Sequence, residues 1–160
     1  MSVRVGHGFD AHRLVVGRPF ILGGVRIPFE RGPLGHSDGD ALAHALADAI
    51  LGACNLGDLG RHFPDNDPQW KDADSLRLLE ACARMAREAG YELVNVDATI
   101  VVEAPKLAPH LDAMRTRLAE TLRIDSSSVS VKAKTSEGMG YTGDGSGIAA
   151  YAVAALERSR

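Results

Sequence analysis

Between Val94 and Val102 every second residue is apolar (Val94, Val96, Ala98, Ile100, Val102), a period-two pattern that fits a β-strand with one buried face. Helical patterns flank it on both sides. Residues 74–89 put Leu76, Leu79, Ala83 and Ala86 on one face, with Asp74 as N-cap and Gly90 as stop. Leu111, Met114, Leu118 and Leu122 mark another helix, entered near Pro109. A third pattern, residues 40–54, carries Leu42, Ala45, Leu46, Ala49 and Ile50 as its apolar stripe. Strand character returns at residues 2–12, at 19–29 folded back at Gly23-Gly24, and at Val129, Val131 and Ala133 after a serine turn. The Ala-rich segment 148–156 fits a strand or a helix equally well, and the Gly-, Pro- and Asp-rich segment 55–72 reads as a loop. Strands alternating with helices in 160 residues predict one α/β domain over residues 1–160, built as a two-layer sandwich.

A formal net charge of −3 offers no broad attraction for nucleic acid, so an anionic ligand must be met locally. Cys54 and Cys82 form no Cys-x-x-Cys pair and read as buried small hydrophobes of a reducing compartment. With no transmembrane run and no charged-then-apolar leader, the expected location is the cytoplasm.

The chemistry-bearing residues begin with Asp10 and His12, two apart and therefore on one face of a strand. If His44 comes from a helix packed beside them, a carboxylate and two imidazoles form an N/O set suited to zinc, with a fourth position open as in catalytic sites. Gly6 and Gly8 on the same strand leave room for another backbone or a ligand. On the helix, Asp40, His44 and Asp48 share one edge at i, i+4 and i+8. Just before it, Asp38 is the better N-cap candidate, which leaves His36 and Ser37 to donate to a phosphate. Lys132-Ala133-Lys134-Thr135-Ser136-Glu137 ends a strand with a carboxylate beside hydroxyls and lysines, a setting for a second, harder cation and the phosphates it bridges. The Gly-rich stretch that follows lacks the Walker order, and Glu103-Ala104-Pro105-Lys106 by itself reads as a solvated turn.

Taken together, Gly8-Phe9-Asp10-Ala11-His12, His36-Ser37-Asp38-Gly39-Asp40, His44-Ala45-Leu46, Leu56-Gly57-Asp58-Leu59-Gly60, Phe63-Pro64-Asp65-Asn66-Asp67, Ala104-Pro105-Lys106 and Thr135-Ser136-Glu137 resemble the 2-C-methyl-D-erythritol 2,4-cyclodiphosphate synthase family, in order and spacing, over nearly the whole chain. The resemblance implies a ferredoxin-like two-layer α/β sandwich, a mixed sheet with helices on one face, assembled as a homotrimer with active sites at subunit interfaces. It implies a lyase of the non-mevalonate isoprenoid pathway that converts 4-diphosphocytidyl-2-C-methyl-D-erythritol 2-phosphate into the cyclic diphosphate and CMP. By position, Asp10, His12 and His44 match the zinc ligands, and Glu137 matches the residue holding a second cation, Mg2+ or Mn2+, on the α and β phosphates. His36 and Ser37 match phosphate contacts, Asp58, Gly60 and Asp65 the methylerythritol pocket, and Asp48 a carboxylate that orients a ligand histidine. Lys106, Leu107, Ala133, Lys134 and Thr135 match the cytidine and diphosphate side, with Thr135 the preferred donor to the leaving end.

Two positions depart from the family. Asp144 stands where some members carry an arginine facing the central cavity of the trimer, and a carboxylate there repels an isoprenoid diphosphate. Lys134 replaces a common hydroxyl residue. From the residues without the resemblance, a nucleoside diphosphate hydrolase and a metal-dependent nucleotide-binding module remain as rivals.

Overall fold

The computed structural model describes residues 2–160. In chain order the strands are β1 (Val3–Val16), β2 (Phe20–Leu22), β3 (Val25–Ile27), β4 (Arg31–Pro33), β5 (Tyr91–Val101), β6 (Val129–Lys134) and β7 (Gly147–Arg158). The helices are α1 (Ala41–Ala53), the single turn α2 (Leu59–His62), α3 (Ser75–Glu88), α4 (Leu111–Leu122) and the single turn α5 (Gly140–Gly143). None among the described residues is long and apolar enough to cross a membrane.

Five strands form one sheet in the order β4-β1-β7-β5-β6, and β2-β3 is a separate hairpin turning at Gly23-Gly24. Only β5 and β6 run parallel, joined through α4, while the other pairings are antiparallel. The Ala-rich segment left open between strand and helix is β7, the middle strand, paired along its length with β1 and β5. Its inward residues Ala150, Ala152 and Ala154 are small because α1 lies across β1 and β7. The approach is close enough to exclude side chains from β1: a β-carbon on Gly6 would stand 1.8 Å from the carbonyl oxygen of Ala49, and one on Gly8 1.8 Å from that of Ala45. These two glycines thus admit a helix backbone and not a ligand.

Helix α1 is buried nearly all round, since the sheet lies on one side and α3 on the other. Helix α4 closes the core over β6 through Met114, Leu118 and Leu122. One sequence expectation fails on β5. Val94 is 43% exposed, because a bulge between Leu93 and Asn95 inserts it as an extra residue and turns its side chain away from the core. The long helices α1, α3 and α4 cover one face of the sheet. The opposite face carries Val3, Val5, Phe9, Tyr151 and Val153 in the open, with Phe9 directly opposite Tyr151 and their ring centroids 5.1 Å apart.

Candidate metal centre and the adjoining clefts

Asp10 and His12 leave β1 on the face that meets α1, and His44 sits one turn into α1. The first turn of that helix is held by Asp40, which corrects the assignment of the N-cap to Asp38. The Asp40 carboxylate accepts from Ala43 N at 3.0 Å and from the hairpin amides of Gly23 (2.9 Å) and Gly24 (2.8 Å). It is completely buried beneath the hairpin, so it does not join His44 and Asp48 on a ligand-facing strip. Burial pushes its pKa up against the pull of those three N–H groups.

Asp10 Oδ2 lies 2.6 Å from His12 Nε2 and 2.9 Å from His44 Nδ1, and the two ring nitrogens are 3.4 Å apart. The outward nitrogen of each ring already has an acceptor. His12 Nδ1–H donates to the carbonyl of Leu34 at 2.9 Å, and His44 Nε2 lies 2.7 Å from Ser75 Oγ, which can accept from it. Neutral imidazoles in those tautomers turn two lone pairs onto a carboxylate oxygen, an arrangement that only a cation, or a proton on each ring, makes favourable. The set Asp10, His12, His44 is the one group of metal-ligating side chains found among the described residues, and its two nitrogens and one oxygen suit zinc with an open fourth position.

Burial alone would raise the pKa of Asp10. The hydrogen bonds and positive charge of His12 and His44 outweigh it and hold the carboxyl at about 2. For His12, burial disfavours the imidazolium but Asp10 wins, so its pKa rises above the ordinary 6.5.

The open side of this centre faces a cleft of about 570 Å³ lined also by His36, Ser37, Asp48, Asp58, Gly60 and Asp65. Asp58 caps α2 through Arg61 N, and Trp70, edge-on to Phe63 at 4.9 Å, forms a far wall. His36 Nε2 donates to the carbonyl of Asp67 at 3.0 Å, which ties the segment over the cleft to the site. A neutral His36 has no second N–H, so it reaches a phosphate as the imidazolium or by releasing Asp67. Ser37 is 8% exposed with its hydroxyl 3.1 Å from His44 Nε2. Asp48 accepts from Leu59 N at 2.7 Å, and no hydrogen bond joins it to His44 or His12 among the described residues. The side chains within hydrogen-bond distance of His44 Nε2 are Ser75 and Ser37, and behind Ser75 stands Asp38; Ser75 was not singled out from the sequence. Arg18 was also missed: its guanidinium donates to the carbonyls of Pro33, Gly35 and Ser37 and fixes the strip that carries His36.

Lys106, Leu107, Ala133, Lys134 and Thr135 do not reach this cleft within one chain. They line a separate hollow of about 260 Å³ at the carboxyl ends of β5 and β6, with Glu137 exposed just beyond it. Asp144 uses its carboxylate locally, accepting from Ser146 N at 2.8 Å.

A mixed sheet covered by helices on one face, with an open two-histidine, one-carboxylate centre in a polar cleft, defines a metal-dependent enzyme acting on a small polar molecule. The chain belongs to the YgbB family, whose model matches residues 3–157. It is 57% identical over 156 residues to the 2-C-methyl-D-erythritol 2,4-cyclodiphosphate synthase of Geobacillus kaustophilus, covering 98% of this chain and 99% of that one. Among solved structures it superposes on the bifunctional IspDF of Campylobacter jejuni with TM-score 0.95 and 41% identity, covering 98% of this chain and 42% of that longer one. A CDP-bound form of 2C-methyl-D-erythritol-2,4-cyclodiphosphate synthase matches with TM-score 0.89 and 40% identity, covering 96% of this chain and all of that one.

Proposed function

We propose that the protein is a lyase that converts 4-diphosphocytidyl-2-C-methyl-D-erythritol 2-phosphate to 2-C-methyl-D-erythritol 2,4-cyclodiphosphate and CMP. The observation that carries the reading is the Asp10, His12, His44 centre opening on a polar cleft, in a chain 57% identical end to end to a synthase of that name. Asp10, His12 and His44 would hold a zinc ion and Glu137 would help hold a magnesium or manganese ion, and when bound these would supply Lewis-acid polarisation of the phosphates. The exposed carboxylate of Glu137 suits a cation whose remaining ligands come from the substrate.

The work of the chain is to fold one substrate until its 2-phosphate oxygen lies in line with the β-phosphorus. Such positioning can contribute roughly 7–11 kcal/mol to lowering the barrier. Asp58, Gly60 and Asp65 hold the methylerythritol end, and Ser37 and His36 lie beside the attacking phosphate. Lys106, Leu107, Ala133, Lys134 and Thr135 receive cytidine and diphosphate, with Thr135 donating to the departing end. No protein nucleophile or general base is needed, since a phosphate dianion attacks directly.

One substrate must span both hollows, and we infer a homotrimer in which the cytidine side of one subunit meets the metal side of the next. The apolar strip Val3, Val5, Phe9, Tyr151 and Val153 supports this, because a contiguous exposed patch of that kind favours a subunit contact. Each chain acts as one domain over residues 1–160, in the cytoplasm.

Phosphorus NMR of the protein with this substrate, zinc and magnesium tests the reading. The expected products are CMP and a cyclic diphosphate. A linear diphosphate would make water the nucleophile, and unchanged substrate on fully loaded protein would make the chain a binding module.

A further inference from the structure

Ser75 takes no part in the chemistry above, yet it is 1% exposed and sits against His44. It opens α3, where Asp74 already supplies the cap by accepting from Leu76 N at 3.0 Å. The Ser75 hydroxyl is therefore not needed to start the helix. Its Oγ lies 2.5 Å from Asp38 Oδ1, while Ser75 N donates to Asp38 Oδ2 at 3.0 Å. Asp38 is fixed in turn by its own hydrogen bond from Asp40 N at 3.1 Å. A carboxylate only accepts, so the single hydroxyl proton of Ser75 goes to Asp38. Lone pairs alone remain on the side of Oγ that meets His44 Nε2 at 2.7 Å. Ser37 Oγ, 3.1 Å from the same nitrogen and 3.3 Å from Ser75 Oγ, lies on that side as well.

We propose that Ser75, oriented by Asp38, is the positioning residue of the metal centre: it keeps the proton of His44 on Nε2 and so presents Nδ1 as a lone pair toward Asp10 and His12. This rests on the metal reading given above. The partner imidazole, His12, obtains the same service from a backbone carbonyl, that of Leu34, which no side-chain change removes. The Asp38–Ser75–His44 chain joins the segment before α1, the first turn of α3 and the metal face, three places that approach each other only in the folded protein. Groups that fix a ligand imidazole in this way typically change metal affinity by about 10- to 100-fold.

The test compares wild type, Ser75→Ala and Asp38→Asn. Nitrogen-15 NMR of the His44 ring is recorded on metal-free protein at a pH where the imidazoles are neutral, and zinc affinity is measured against a competing chelator. Wild type should show His44 with its proton on Nε2. Ser75→Ala should show a mixture of both tautomers and bind zinc about 10- to 100-fold more weakly. Asp38→Asn leaves a neutral acceptor for the hydroxyl and should fall between the two. Thermal melts confirm folding, and if Ser75→Ala does not fold, Asp38→Asn decides. Variants that keep the wild-type tautomer and bind zinc within about twofold of wild type overturn the proposal alone. A wild-type protein that takes up no zinc overturns the metal reading and the proposal with it.

Discussion

Gly8 on β1 meets the carbonyl of Ala45 on α1 so closely that a β-carbon at residue 8 would stand 1.8 Å from that oxygen. The contact sets the height of α1 above the sheet, and therefore the reach of His44, one residue before Ala45, toward Asp10 and His12. Gly8→Ala must push the helix away. The expected loss is roughly 3 kcal/mol or more, above the ordinary range for overpacking because the obstacle is backbone. A denaturant melt checks it, together with weakened zinc binding as the three ligands move apart.

Asp40 satisfies the buried amides of Gly23 and Ala43 and the partly buried amide of Gly24 with one carboxylate. Asp40→Ala should cost about 3 kcal/mol or more, since each orphaned buried N–H costs about 1–3 kcal/mol. Hydrogen exchange should show the Gly23 and Gly24 amides losing protection first.

His44→Ala removes one of three ligands but leaves α1 capped by Asp40. Zinc retention after gel filtration and turnover should both be abolished, with the circular dichroism spectrum unchanged. Turnover at the wild-type rate without bound zinc would refute the role given to this residue.

Without metal, the Asp10–His12 pair gives the protein a pH dependence of definite sign. The pKa of His12 is raised above 6.5, so its share of stability is complete below that value and disappears as pH climbs through the folded-state pKa. Asp10, held at about 2 against an ordinary 3.8, contributes above 3.8 and fades as pH falls toward 2. The melting temperature of metal-free protein should fall as pH rises above 6.5 and through the raised pKa of His12, and Asp10→Asn should flatten that fall. Zinc affinity should run the opposite way, tightening with pH as the proton leaves His12.

Glu137→Gln should raise the concentration of magnesium or manganese needed for half-maximal rate by about tenfold or more, while zinc content stays at the wild-type level. An unchanged metal titration would remove Glu137 from the cation site.

Local patterns determined a large part of this protein. The two-residue period of β5, the helical stripes of α1, α3 and α4 and the glycine turn of β2-β3 are properties of neighbouring residues, so burial on one face writes them into the sequence. The Asp10, His12, His44 cluster, which could hold a metal ion, was legible for the same reason, because Asp10-x-His12 and His44 each occupy a defined face of one element. Only the tertiary structure decided what depends on separate elements meeting. Residues 148–156 became the central strand because β1 and β5 pair with both its edges, and their alanines reflect the closeness of α1, which no local period records. Val94 left the core because of a bulge, Asp40 rather than Asp38 capped α1, and His44 met Ser75, 31 residues along the chain. A hydrogen bond needs donor and acceptor within about 3 Å, and distance in space between remote residues is fixed by packing, not by local sequence.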